Sequence, residues 1–203
     1  MPGALCVVGG ASPDAASPFL ELASRAGLAV GRLGIPLVYG GPPGGVAGRF
    51  IDGAIQAGAS DILAIVPRIF SDEKRPGEVR ELFVDTLPER REMLFTSASD
   101  MLALPGGIGT FDEVFGFLEW RYHGIIDAGA KLYLLEHGGF WSSFLTMLAG
   151  AQRQGLVTAR HLERIRMFED PEALASEVSM RWGDLGHVSE RPQCNLDQDR
   201  INE

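Results

Sequence analysis

Apolar residues fall along this chain in two alternating patterns: short unbroken runs of strand length, and longer stretches where apolar positions recur at helical spacing. The short runs predict strands at Ala4 to Val8, Pro36 to Tyr39, Asp61 to Val66, Leu82 to Asp85, Asp100 to Leu104 and Lys131 to Leu135. Between them helices are predicted over Asp14 to Leu33, Val46 to Ala57, Pro88 to Ala98, Thr110 to His123 and Trp141 to Gln154, with a last one over Pro171 to Trp182. Strands alternating with helices make a parallel sheet covered by helices. The expected fold is therefore α/β: one doubly wound, Rossmann-like, mostly parallel sheet with helices on both faces. No interdomain linker interrupts the pattern, so a single nucleotide-binding domain is expected over residues 1–182. Apolar periodicity is lost after that, and residues 183–203 read as a polar, flexible tail.

In such sheets the ligand sits beyond the carboxyl ends of the strands. Three predicted strand ends here are rich in glycine: Gly9-Gly10-Ala11-Ser12, Gly40-Gly41-Pro42-Pro43-Gly44-Gly45, and Pro105 to Thr110. All three should open on one edge. Glycine lets backbone N–H groups approach a ligand, and the helix that follows presents partial positive charge, which suits an anion such as phosphate. Ser12, Gly41 and Gly45 are accordingly candidate substrate contacts. Each loop taken singly is also explained by a tight turn. None fits the G-x-x-x-x-G-K-[ST] pattern or a clean dinucleotide fingerprint, which argues against ATP hydrolysis and ordinary dinucleotide binding.

Charge narrows the partners. A formal net charge of −9 opposes a broad basic face for nucleic acid, while leaving room for a small anionic ligand held by a few local donors. The N-terminus carries no basic segment leading into a long apolar one, and no apolar run approaches the roughly 20 residues that span a bilayer. The expectation is a cytoplasmic protein without membrane contact. Cys6 in a buried strand and Cys194 in the tail suggest no disulfide framework, and His123, His137, His161 and His187 are too scattered for a metal site.

The densest chemistry lies in ALPGGIGTFDEVF, Ala103 to Phe115. Thr110 and Glu113 fit a capping box, in which the threonine oxygen and the glutamate satisfy backbone N–H groups at a helix start. A cap does not need the glycines before it. If Thr110 instead offers its hydroxyl to a phosphate, Glu113 lies one turn along the same helix face, toward the sugar of a nucleotide.

The segment PGGIGTFDE resembles the PGGxGTxxE motif of the LOG family, the cytokinin riboside 5'-monophosphate phosphoribohydrolases formerly described as possible lysine decarboxylases. The likeness extends from Leu5 to about Trp182: LVYGGPPGGVAG at Leu37 to Gly48 is similar to the family's LVYGGG-x-x-GLMG, and IDAGAKLYLL followed by GFWSSFL to its later strand and helix. The family's M-x-x-RK helix falls, counted without gaps, on Leu87-Pro88-Glu89-Arg90-Arg91. Leu87 stands for the methionine and Arg91 for the lysine. The resemblance implies Arg90 and Glu113 as catalytic residues, with Arg91 the functional arginine if the segment slips by one. Gly106, Gly107, Gly109 and Thr110 are implied to hold the 5'-phosphate.

By the same resemblance the reaction is hydrolysis of an N6-modified AMP, or AMP itself, to free base and ribose 5-phosphate, without metal or organic cofactor. Pyridoxal chemistry fits poorly, because it needs a Schiff-base lysine and the chain offers only Lys74, in a charged loop, and Lys131, at a strand start. The alternative is a nucleotide-binding or cofactor-carrier protein that keeps the fold without hydrolysis. A homodimer is also implied. Phe115, Phe117, Leu118, Trp120 and Tyr122 spread round one helix, which serves a subunit interface, burial within one domain, or the base pocket equally well.

Overall fold

Strands form where the unbroken apolar runs lie, and there are seven among the described residues: β1 (Ala4–Val8), β2 (Leu37–Tyr39), β3 (Ile62–Pro67), β4 (Val79–Val84), β5 (Ala98–Ala103), β6 (Leu132–Leu135) and β7 (Ile165–Phe168). The structure, a computed structural model, describes residues 3–187. The helices are α1 (Ser17–Gly31), α2 (Gly45–Gln56), α3 (Leu87–Thr96), α4 (Ile108–Tyr122), α5 (Phe140–Arg153), the short α6 (Ala159–Leu162) and α7 (Pro171–His187). Every strand pairing is parallel, in the order β4-β3-β2-β1-β5-β6-β7. This is the expected doubly wound, Rossmann-like α/β fold.

Side chains alternate across the sheet, and the alternation divides the core in two. Leu5, Val7, Leu37, Tyr39 and Leu102 face α1, α2 and α7. Cys6, Val8, Val38, Met101 and Leu134 face α3, α4 and α5. The chain leaves β1 toward β2 on one side and returns to β5 on the other, so the crevice between the loops after β1 and β5 is the topological switch point where such sheets take ligands.

Two differences from the expected elements lie at the sheet edges. β7 was not expected from the pattern, and β4 begins at Val79 rather than Leu82. Both are edge strands carrying exposed charged side chains, Arg166 on one and Arg80 and Glu81 on the other, so neither shows an unbroken apolar run. A third difference is α7, which carries helix through His187 into the segment expected to be tail. Trp182 Nε1 donates to Gly3 O at 2.7 Å, tying this helix to the start of β1. Cys194 and the remaining tail positions, 188–203, lie outside the described residues.

Buried Asp100, at the amino end of β5, accepts from the Lys131 backbone N–H at 2.7 Å, Tyr133 Oη at 3.2 Å and Arg181 Nε at 3.3 Å. It links α7 to the sheet at the end away from the switch point. Burial raises the Asp100 carboxyl above its ordinary value, against the pull of the Lys131 hydrogen bond and the Arg181 charge. Among the described residues no helix is long and apolar enough to cross a membrane.

Candidate active site

Three glycine-rich loops meet because their backbones bond to one another. The Gly10 N–H donates to Pro105 O at 3.1 Å, and Gly10 O accepts from the Ala47 N–H at 3.1 Å. Gly106 sits at this junction, where a Cβ would overlap the Thr110 hydroxyl and come 2.7 Å from Gly10 N. Only glycine allows the β1 and β5 loops to close on each other here. The result is a cavity of about 290 Å³ over the carboxyl ends of β1, β2 and β3. Gly9, Gly10, Gly40, Gly41, Gly107 and Gly109 supply backbone to its wall, and Arg90, Thr110 and Glu113 supply side chains.

Gly107 is the N-cap of α4, so the helix begins earlier than expected and Thr110 is its third residue. The expected capping box at Thr110 and Glu113 does not form: α4 has no side-chain cap, and Thr110 and Glu113 both face the cavity. The first helical N–H groups, of Ile108, Gly109 and Thr110, have no backbone acceptor among the described residues. They are free for an anion. A side-chain cap exists instead at α3, where Thr86 Oγ1 accepts from Glu89 N at 3.2 Å, while Glu89 Oε2 accepts from the N–H of Asp85, one residue before the cap, at 2.9 Å. Thr86-Leu87-Pro88-Glu89 carries the same T-x-x-E spacing.

That cap sets the phase of α3. Successive helical residues diverge by about 100°, so Arg90 and Arg91 point different ways. Arg90 lines the cavity, donates Nε to Gly40 O at 3.4 Å, and brings Nη1 to 2.8 Å from Glu113 Oε1. Arg91 leaves the cavity and pairs with Asp112 at 3.0 Å. Side-chain exposures of 19% for Arg90 and 8% for Glu113 make theirs a nearly dry ion pair. The 2.8 Å approach joins the Glu113 carboxylate to the Arg90 guanidinium at the cavity wall. Burial raises the Glu113 carboxyl above its ordinary value, with the Arg90 charge pulling the other way. Beneath them, burial and then the Glu113 charge push the Cys6 thiol up, which keeps it protonated and no nucleophile.

Several candidate residues fall elsewhere. Ser12 is an exposed turn residue whose Oγ accepts from Asp14 N at 3.2 Å, outside the cavity lining. Gly45 opens α2 with φ of +65° and packs on the Gly10–Ala11 backbone, leaving no face for a ligand. Gly106 closes the loops rather than lining the cavity. The aromatic residues of α4 do not line it either. Phe117 is core, Trp120 packs on Phe95, and Tyr122 stacks on His161, so burial within the chain accounts for most of them.

The sequence pattern did not single out the wall formed by Pro67, Phe70, Glu73 and Arg75. Arg75 reads in sequence as one more charge in SDEKR, yet its side chain is only 1% exposed. It donates to Gly41 O at 2.5 Å, Glu73 O at 2.9 Å, Glu81 Oε1 at 2.9 Å, Phe70 O at 3.2 Å and Glu73 Oε2 at 3.4 Å. The one available signal was Pro76-Gly77 just after it, a turn that folds the charged loop back on itself.

The family model described as "Possible lysine decarboxylase" matches residues 48–178. The cytokinin riboside 5'-monophosphate phosphoribohydrolase of Rhodococcoides fascians is 27% identical over 180 residues, 87% of this chain and 89% of that protein. The cytokinin riboside 5'-monophosphate phosphoribohydrolase LOG2 of Arabidopsis thaliana is 32% identical over 162 residues, 78% of this chain and 75% of its own. Among solved structures, the molybdenum cofactor carrier protein MCP from Chlamydomonas reinhardtii superposes with a TM-score of 0.65 at 20% identity, covering 89% of this chain and 98% of its own. At that identity the likeness is one of fold.

Proposed function

The chain belongs to the family described as "Possible lysine decarboxylase", the LOG family, and from that premise we propose that it hydrolyses the N-glycosidic bond of a nucleoside 5'-monophosphate, N6-modified AMP or AMP. The carrying observation is that Arg90 and Glu113 meet in the same cavity as the free N-terminus of α4. The 5'-phosphate sits on the N–H groups of Gly109 and Thr110 and the Thr110 hydroxyl, where the helix end favours an anion. Glu113, one turn along the same helix, then faces the ribose. Anchoring the remote phosphate turns binding energy into orientation of C1'.

As the bond from C1' to the base nitrogen breaks, its electron pair leaves with the base and positive charge develops on the ribose ring. The Glu113 carboxylate stabilises that charge and accepts a hydrogen bond from the attacking water. Water oxygen bonds to C1', one water proton ends on the base, and the products are free base and ribose 5-phosphate. Arg90 holds the carboxylate in place, and its charge favours the ionised form against the effect of burial.

Decarboxylation is not supported by the residues. Lys131 pairs with Glu177 at 2.8 Å at the amino end of β6, and Lys74 does not line the cavity, so no lysine is available for a Schiff base. The proposal includes a homodimer, since Leu87, Ile108 and Phe115 stand exposed on α3 and α4 beside the cavity. Incubation of the purified protein with AMP and N6-isopentenyl-AMP, followed by chromatography for free base, tests the activity. Binding without release of base from any of a panel of nucleotides supports the non-catalytic carrier instead.

A further inference from the structure

Five residues with polar side chains line the cavity: Glu73, Arg75, Arg90, Thr110 and Glu113. Three of them, Arg90, Thr110 and Glu113, cluster at α4. The other two belong to the loop after β3, three strand positions from β5 in the sheet. Adjacent strands lie about 4.8 Å apart, so the two ends are separated by about 14 Å. A nucleoside monophosphate laid along the sheet edge, phosphate at α4, brings the exocyclic edge of its base to the β3 loop.

At that end Arg75 has nothing left to donate. A guanidinium has five N–H donors, and all are engaged by Gly41 O, Glu73 O, Glu81 Oε1, Phe70 O and Glu73 Oε2. Glu73, whose side chain is 43% exposed, is the remaining lining residue there with a polar side chain, and an ionised carboxylate only accepts. Pro42, Pro67 and Phe70 give the same end apolar surface for the faces of a base. An acceptor without a donor discriminates by chemistry: it takes a base that presents an N–H and repels one that presents a carbonyl oxygen.

Resting on the nucleotide reading above, we propose that Glu73 is the base-specificity residue, accepting the exocyclic N–H of a 6-amino purine. An N6-monosubstituted adenine keeps one such N–H, and the exposed position of Glu73 leaves its substituent room at the cavity mouth. A 6-oxo purine, or an adenine with both N6 hydrogens replaced, offers none.

Calorimetric binding of four probes tests this: AMP, N6-isopentenyl-AMP, IMP and N6,N6-dimethyl-AMP. The native protein is expected to bind the first two about tenfold or more tighter than the last two. In Glu73→Gln the amide donates as well as accepts, and the gap between AMP and IMP narrows to about threefold or less; Glu73→Ala loses the preference altogether, with circular dichroism reporting the fold of each variant. Equal binding of all four probes by the native protein, or an unchanged preference in a folded Glu73→Gln, overturns the proposal. Base release without the preference overturns it while leaving the hydrolase reading standing. The preference without base release does the reverse. Absence of binding by any probe overturns both.

Discussion

Arg90 crosses directly in front of Gly40, so closely that a Cβ on Gly40 would overlap its Nη2. The arginine also donates Nε to the Gly40 carbonyl, and its Nη1 ends 2.8 Å from Glu113 Oε1. The missing side chain of a β2-loop residue thus gives α3 access to α4 across the cavity. Gly40→Ala is expected to displace Arg90 and lower kcat/KM about 100-fold or more, with far-ultraviolet circular dichroism unchanged. A variant with full activity would show that this approach is not needed.

Glu113→Gln keeps the shape of the side chain and removes the charge. Nucleotide binding should change by less than about fivefold while kcat falls about 100-fold to 1,000-fold, because the carboxylate acts on charge that exists only in the transition state. Normal cleavage by this variant, or by Glu113→Ala, would end the assignment of Glu113.

The two adjacent arginines should separate cleanly. Arg90→Ala is expected to lose about 100-fold or more in kcat/KM, whereas Arg91→Ala, which breaks only the exposed pair with Asp112, should stay within about threefold. Steady-state kinetics on both variants checks this, and the reverse order of effects would move the functional arginine to Arg91.

Burial raises the Glu113 carboxyl and the Arg90 charge opposes that rise. Activity that needs the carboxylate is therefore lost on acidification at a higher pH than an exposed glutamate would require. Removing Arg90 takes away the opposing charge, so the acid limb of log kcat against pH should move to still higher pH in the residual activity of Arg90→Ala. A limb that moves to lower pH, or not at all, contradicts the coupling.

Arg75→Ala leaves Gly41 O and Glu73 O without their side-chain donor, and Phe70 O with only the Glu73 N–H. A loss of about 2 kcal/mol in stability is expected, together with faster proteolytic cleavage between β3 and β4. Thermal unfolding and limited trypsin digestion measure the two effects, and an unchanged digestion rate would mean that the loop does not depend on Arg75.

Unbroken apolar runs at Ala4–Val8 and Leu132–Leu135 belong to strands buried on both faces, and that was enough to read a parallel sheet with helices on either side. Glycine at the ends of β1, β2 and β5 likewise marked the ligand edge, because in a parallel sheet all strands point the same way. The edge strand β7 escaped because exposed Arg166 interrupts its short apolar run.

Which side chains meet was another matter. Two T-x-x-E segments are equivalent as strings, yet Thr86 caps a helix while Thr110 faces a cavity, because α4 starts at Ile108 with Gly107 as its cap. Gly106 and Gly107 are neighbours in sequence, but one closes the loops and the other lines the cavity. Local periodicity, which each segment carries within itself, determined the elements and the edge at which they open. Tertiary structure decided that Arg90 rather than Arg91 reaches Glu113, and that Arg75 is a buried strap, since those outcomes depend on helix phase and on contacts between segments distant along the chain.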